Sequence, residues 1–218
     1  MDLVSGHRVP PNRFDGLTGF VLAGGASRRM GRSKPALRLD GETMLVRQIR
    51  LLRKVARRVV VVGGLPGYLD DFNVPQTPDA FAGRGPLAGL YTALLESRTE
   101  FNLALGCDLP FVNRRLLVFL AARAIASGSD VTVPRSRDGR LQPLCAVYHR
   151  RALYAIRSRL EAGENKLRGF YPRVRCKMIA WRELADAGFR ASIFNNMNTP
   201  EDYEYARIRC EAARAAFA

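Results

Sequence analysis

Asp108 follows the apolar run Phe101 to Gly106 and sits in the turn Cys107-Asp108-Leu109-Pro110. A carboxylate where a buried strand ends lies at the rim at which open parallel sheets bind ligands. One carboxylate is enough for magnesium, because that ion completes its shell with phosphate oxygens and water. The alternative is an aspartate that merely caps the turn made with Pro110. Upstream lies Leu22-Ala23-Gly24-Gly25-Ala26-Ser27-Arg28-Arg29-Met30-Gly31-Arg32-Ser33-Lys34. Glycines after a strand let successive N–H groups turn towards one anion, and Arg29 and Lys34 add positive charge to the same loop. The segment matches neither GxxxxGKS/T nor GxGxxG, and an ordinary strand-to-helix turn would use the same glycines.

Two further clusters bear polar groups on loops. Asp79 precedes Gly83-Arg84-Gly85-Pro86-Leu87-Ala88-Gly89, a glycine-rich approach to a helix N-terminus, where an anion or nucleotide is favoured. In Asn195-Asn196-Met197-Asn198-Thr199-Pro200 the amides of Asn196 and Asn198 alternate, so an extended backbone points both to one side; turn and cap roles are the alternative. His7 and His149 fall in none of these segments, so no nucleophilic triad is expected.

The elements that must carry these loops follow from hydrophobic pattern. Leu17 to Leu22, Arg58 to Val62 and Phe101 to Gly106 read as buried strands, each closing in small or turn residues. Leu45, Ile49, Leu52 and Val55 repeat at helical spacing, with Arg47, Arg50, Arg53 and Arg57 as a basic stripe on another face. Helices are also expected from Pro86, with Leu87, Leu90, Tyr91, Leu94 and Leu95 on one face, and over 113–126. This alternation implies right-handed crossovers and a mostly parallel α/β sheet covered on both faces. Beyond Asp130 the pattern predicts strands near 130–134, 142–148 and 174–180, a helix near 150–161, and a last helix capped by Thr199 with Asp202. Residues 1–16 read as a loose leader and 17–218 as one domain.

The 218 residues carry 35 Lys plus Arg against 20 Asp plus Glu, a net +15, and only residues 34, 54, 166 and 177 are lysines. Nucleic acid, an anionic membrane surface or phosphorylated small molecules suit that balance, and so does a general bias towards arginine. A nucleic-acid partner is disfavoured because no recognised nucleic-acid motif accompanies the charge. No apolar run approaches the ~20 residues of a membrane span. Cys107, Cys145, Cys176 and Cys210 lack metal-binding spacing, so free thiols in a reducing cytoplasm are expected.

Five segments, in order, resemble the molybdenum cofactor guanylyltransferase family of the nucleotidyltransferase superfamily. They are Leu22-Ala23-Gly24-Gly25-x-Ser27-x-Arg29-Met30-Gly31-x-x-Lys34, Gly85-Pro86-Leu87-Ala88-Gly89, Cys107-Asp108-x-Pro110, Gln142-Pro143-Leu144 and Asn196-x-Asn198-Thr199-Pro200-Glu201-Asp202, spread over roughly residues 17–206. The resemblance implies a Rossmann-like nucleotide-diphospho-sugar transferase fold. It implies transfer of GMP from GTP to the terminal phosphate of molybdopterin carrying molybdenum, with release of pyrophosphate. By the same resemblance, Leu22, Ala23, Gly24 and Gly25 contact the nucleotide, Arg29 and Lys34 bind its phosphates, and Asp79 helps hold GTP. Asp108 corresponds to the aspartate that binds Mg2+, and Asn196 and Asn198 to the pair near the molybdopterin. Proteins of molybdoenzyme maturation are then possible partners. Cytidylyl relatives acting on the same cofactor, or another small-molecule nucleotidyltransferase, are the alternatives; the cytidylyl relatives tend to carry Leu-Ala-Ala-Gly in the first loop, so Gly24 and Pro86 to Gly89 favour GTP. Gly63 and Gly64 stand where the family often has an asparagine that contacts the nucleotide, which bears on base choice.

Overall fold

Strand and helix alternate through the first half of the chain, as the pattern predicts. The computed structural model describes residues 13–24, 34–64, 69, 72–81 and 83–215. In chain order these form β1 (Phe14–Leu22), β2 (Arg38–Leu39), β3 (Glu42–Thr43), α1 (Met44–Arg53), β4 (Ala56–Val62), β5 (Gln76–Thr77), α2 (Pro86–Glu96) and β6 (Phe101–Gly106). There follow α3 (Arg114–Ser127), β7 (Val131–Pro134), β8 (Cys145–His149), α4 (Leu153–Glu161), β9 (Cys176–Ile179), α5 (Trp181–Asp186) and α6 (Pro200–Ala215).

Among the described residues a seven-stranded sheet has the order β5-β4-β1-β6-β8-β7-β9. β1 lies parallel between β4 and β6, with Leu22 opposite both Val62 and Gly106, so three strands end level with one another. β8 runs antiparallel to β6 and β7, while β7 and β9 are parallel. The reversal at β8 follows from its connection. Ser136 N donates to Arg140 O at 2.9 Å and Gly139 takes φ +81°, a hairpin turn too short for the helical crossover that a parallel return needs.

Side-chain alternation along β1 divides the core. Leu17 and Val21 pack with Leu45, Ile49 and Leu52 of α1 and Leu116, Leu117 and Leu120 of α3, and α5 and α6 join this face through Leu184 and Ala206. Phe20 and Leu22 face the other way, onto Leu87, Leu90 and Leu94 of α2 and Ile156 and Leu160 of α4. Each such buried side chain contributes about 1.5–3 kcal/mol, so both helical layers are held to the sheet by several anchors. Caps set the helix starts. The Thr43 hydroxyl accepts from Val46 N at 3.3 Å, and Asn113 Oδ1 accepts from Leu116 N at 3.0 Å.

Some expectations shift. β1 begins at Phe14, so residues 14–16 belong to a strand and not to the leader; residues 1–12 lie outside the described residues. α1 stops at Arg53, which puts Val55 beyond the helix and Arg57 on β4, so the stripe holds three helical arginines and not four. Those arginines are engaged within the chain. Arg47 pairs with Asp40 at 3.7 Å, Arg50 with Glu42 at 3.0 Å and Arg57 with Asp15 at 3.6 Å, while Arg53 donates to the Phe72 carbonyl at 2.7 Å. The strand expected over 142–148 starts only at Cys145, because residues 142–144 close the hairpin. α5 was not expected.

Candidate functional site

The level ends of β4, β1 and β6 place three loops on one rim. After β1, Ala23 N donates to Val62 O at 2.9 Å, holding Ala23 and Gly24 beside the end of β4. There Gly63 and Gly64 take φ +73° and +87°. A Cβ on Gly63 would lie 3.1 Å from Gly24 N and 3.2 Å from Gly24 Cα, so a side chain there would crowd the Gly24 backbone as well as strain its own. Whatever this turn offers a nucleotide in place of an asparagine, it offers through main chain. Gln76 secures it from β5, donating through Nε2 to Gly63 O at 2.8 Å.

After β6 comes Asp108. Its Oδ2 lies 3.2 Å from Lys34 Nζ, and the same ammonium donates to Asn198 Oδ1 at 2.6 Å. Residues 74 and 164 positions from Lys34 thus meet at one cation. Each is positioned from behind. Gln48 of α1, itself buried, donates to Leu109 O at 2.9 Å, and Met197 N donates to Asp108 O at 2.9 Å. Asp202 Oδ2 accepts from both Asn198 N and Thr199 N at 2.9 Å, and Thr199 Oγ1 accepts from Asp202 N at 3.2 Å. This reciprocal cap orients Asn198 as it starts α6. Neighbouring Asn196 has an enclosed Oδ1 that no described donor reaches. Burial, reinforced by Asp108, pushes the Cys107 thiol well above its ordinary range, so it stays protonated and inert beside the site.

Asp79 stands at the same rim. Its Oδ1 accepts from Phe81 N at 3.0 Å and from the Thr92 hydroxyl at 3.4 Å. Asp79 Oδ2 and Leu22 Cδ2 each lie 3.8 Å from where a Gly89 Cβ would be, which brings the carboxylate, the end of β1 and the first turns of α2 together. Gly85 at φ +74° and Pro86 at the first helical position set that helix start. Gly25 and Arg29, expected in the phosphate loop, lie outside the described residues.

A cavity of about 860 Å³ opens beside Asp108, Asn196 and Asn198, bordered also by Gln142, Arg137, Arg140, Phe111 and Tyr205. Sequence reasoning missed those last four. They come from the turn after β6, the β7–β8 hairpin and α6, and no spacing along the chain links them. Among the described residues no three His, Cys, Asp or Glu side chains gather to hold a metal, so any ion here would rest on Asp108 and on its ligand's own oxygens. No described helix is long and apolar enough to cross a membrane.

The chain is similar in sequence and in fold to known proteins. A sequence profile of the MobA-like NTP transferase domain matches residues 19–176. A Pelotomaculum thermopropionicum protein named "Probable molybdenum cofactor guanylyltransferase" is 36% identical over 197 residues, which cover 90% of this chain and 95% of that one. A molybdenum cofactor guanylyltransferase from Desulfosudis oleivorans is 33% identical over 202 residues, covering 92% and 99%. Among solved structures, molybdopterin-guanine dinucleotide biosynthesis protein A from Archaeoglobus fulgidus superposes with TM-score 0.76 at 22% identity, over 89% of this chain and 99% of that one. A Thermus thermophilus cytidylyltransferase for 2-C-methyl-D-erythritol 4-phosphate shares the fold at TM-score 0.63 and 16% identity, over 91% and 100%. With the profile spanning well over half its length, the chain belongs to the MobA-like NTP transferase family.

Proposed function

We propose that this protein transfers GMP from GTP to the terminal phosphate of molybdenum-loaded molybdopterin, giving the guanine dinucleotide cofactor and pyrophosphate. The observation that carries the reading is the junction of Lys34, Asp108 and Asn198 at the sheet rim, level with the Gly24 turn and opening into a cavity large enough for a second substrate. The relatives named guanylyltransferases favour GTP over CTP as donor.

An acceptor phosphate oxygen attacks the α-phosphorus as the bond to the β-phosphate oxygen breaks, and the electron pair leaves with pyrophosphate. Such a transfer asks a protein mainly for alignment and for positive charge. Lys34 supplies an ammonium at the rim, and Asp202 and Asn198 restrict where it points. The nucleotide lies along Leu22, Ala23 and Gly24, with Asp79 beside it, and the acceptor lies towards Asn196 and Asn198. The Asp108 carboxylate would hold Mg2+. When bound, that ion neutralises triphosphate charge and draws electron density from the reacting phosphorus. No protein nucleophile is required.

The same reading places the chain in the cytoplasm, supported by four cysteines outside any disulfide. The α1 arginines on which maturation proteins could dock are held by Asp40, Glu42 and the Phe72 carbonyl.

A thermal-shift series with GTP, CTP, UTP and ATP, each with magnesium, tests the donor. At about 100 times its Kd a ligand adds about 2.7 kcal/mol of stability, so GTP should raise Tm by several degrees and the others by much less. Equal shifts for all four would remove the case for guanine.

A further inference from the structure

The cavity beside Asp108 is of a size that encloses a whole small molecule, whereas phosphate transfer needs only its edge. Asp108 lines it but Leu22, Ala23, Gly24 and Asp79 do not, so it adjoins the place assigned to the nucleotide without coinciding with it. Two features mark its chemistry. Tyr205 is 45% exposed on α6, and it meets Phe111 edge to face with centroids 6.0 Å apart at 76°. A ring braced by a second ring and left open on the cavity side is a platform for a flat ligand. Arg137 lines the same cavity from the β7–β8 hairpin. Its neighbour Arg140 is paired with Asp138 at 3.1 Å, while Arg137 has no ion-pair partner among the described residues. The hairpin that carries it is fixed by Gln142 Nε2, which donates to Ser136 Oγ at 3.1 Å.

We propose that this cavity selects the acceptor through Tyr205 and Arg137: a flat heteroaromatic ring lies against Tyr205, and an anionic substituent of the same molecule meets the Arg137 guanidinium. An aliphatic phosphate would leave the ring platform unused, and a neutral heterocycle would leave the arginine unmatched. The proposal rests on the guanylyl-transfer reading only for the identity of the acceptor as a pterin phosphate. Tyr205 and Arg137 are positioning residues and take no part in bond making.

Neopterin monophosphate, which is fluorescent, reports binding to the full chain without turnover, and initial rates with GTP and the molybdenum-loaded acceptor report it with turnover. Tyr205→Ala is expected to weaken probe binding and raise the acceptor KM about tenfold, with kcat and the GTP KM within about twofold of wild type, and Tyr205→Phe to restore both. Arg137→Gln should act in the same direction and Arg137→Lys recover part of the loss, since the lysine keeps the charge without the planar fork. Unchanged probe affinity and acceptor KM in Tyr205→Ala and Arg137→Gln would overturn the subsite even in an enzyme that transfers GMP. If wild type transfers no GMP yet binds the probe through these two residues, the subsite stands and the guanylyl-transfer reading falls.

Discussion

At the scale of single residues the account turns on Asp108 and Lys34. They form a partly buried ion pair at 3.2 Å, and an amide in place of the carboxylate keeps its shape and a hydrogen-bond acceptor for the ammonium. Removing the carboxylate should therefore cost function far more than fold. Asp108→Asn is expected to keep a Tm within a few degrees of wild type and to lower kcat for GMP transfer at least about a hundredfold, as losses of preorganised charge stabilisation do. Near-normal turnover by that variant in steady-state rates would remove Asp108 from the chemistry. The site's polar residues were legible from the chain because each sits in a short motif: Asp108 behind an apolar run, Asn196 and Asn198 ahead of a capped helix. Their meeting at Lys34 was not legible, since it joins residues up to 164 positions apart and depends on strand order. Tyr205 and Arg137 gave no signal, because an aromatic on a helix and an arginine in a hairpin are common and nothing local says that both face one cavity.

At the scale of elements, pattern succeeded where burial was two-sided and failed where segments were short. β6 has the predicted bounds, and β4 runs Ala56–Val62 against an expected 58–62, because continuous apolar runs have no other place than a covered sheet. β2, β3 and β5 have two residues each, too few to show a period, and α5 buries only Leu184 of its six residues. The direction of β8 had a usable signal, the short connection after β7, that the alternation of the first half obscured. Two element-level tests follow. Gly63→Ala forces an L side chain into φ +73° against Gly24, so it should destabilise the fold by about 1–3 kcal/mol and weaken GTP binding in calorimetry. A variant with wild-type stability and GTP affinity would show that the turn is not tightly packed on the loop. Asp130 ties the last three strands: its carboxylate accepts from Arg151, which follows β8, and from Arg175 N at 2.8 Å, just before β9. Burial works to raise its pKa, but the Arg151 hydrogen bond, the Arg175 N–H and both guanidinium charges outweigh it and hold the carboxyl below the ordinary range. A depressed folded pKa gives stability that is present above the unfolded value of about 3.9 and is lost as pH falls through the folded one. Asp130→Asn should lose about 2 kcal/mol at pH 7, and its Tm deficit should shrink as pH drops from 5 towards 3. A deficit constant over that range in calorimetric scans would contradict the assignment.

At the scale of the whole molecule, one sheet with level strand ends gathers loops that the chain keeps far apart, and the order β5-β4-β1-β6 puts the glycine turn and Asp108 on adjacent strands. The net charge of +15 counts every carboxylate, whereas the four arginines of the expected stripe are engaged locally, with Asp40, Glu42, Asp15 and main-chain carbonyls. A phosphate-rich pair of substrates remains the use of positive charge that the rim supports. The most direct test incubates the full chain, magnesium and molybdenum-loaded molybdopterin with α-labelled GTP or α-labelled CTP and follows label and pyrophosphate together. Label should pass from GTP into the pterin cofactor with one pyrophosphate released per transfer. Label that stays in GTP, or that passes as readily from CTP, would contradict the account.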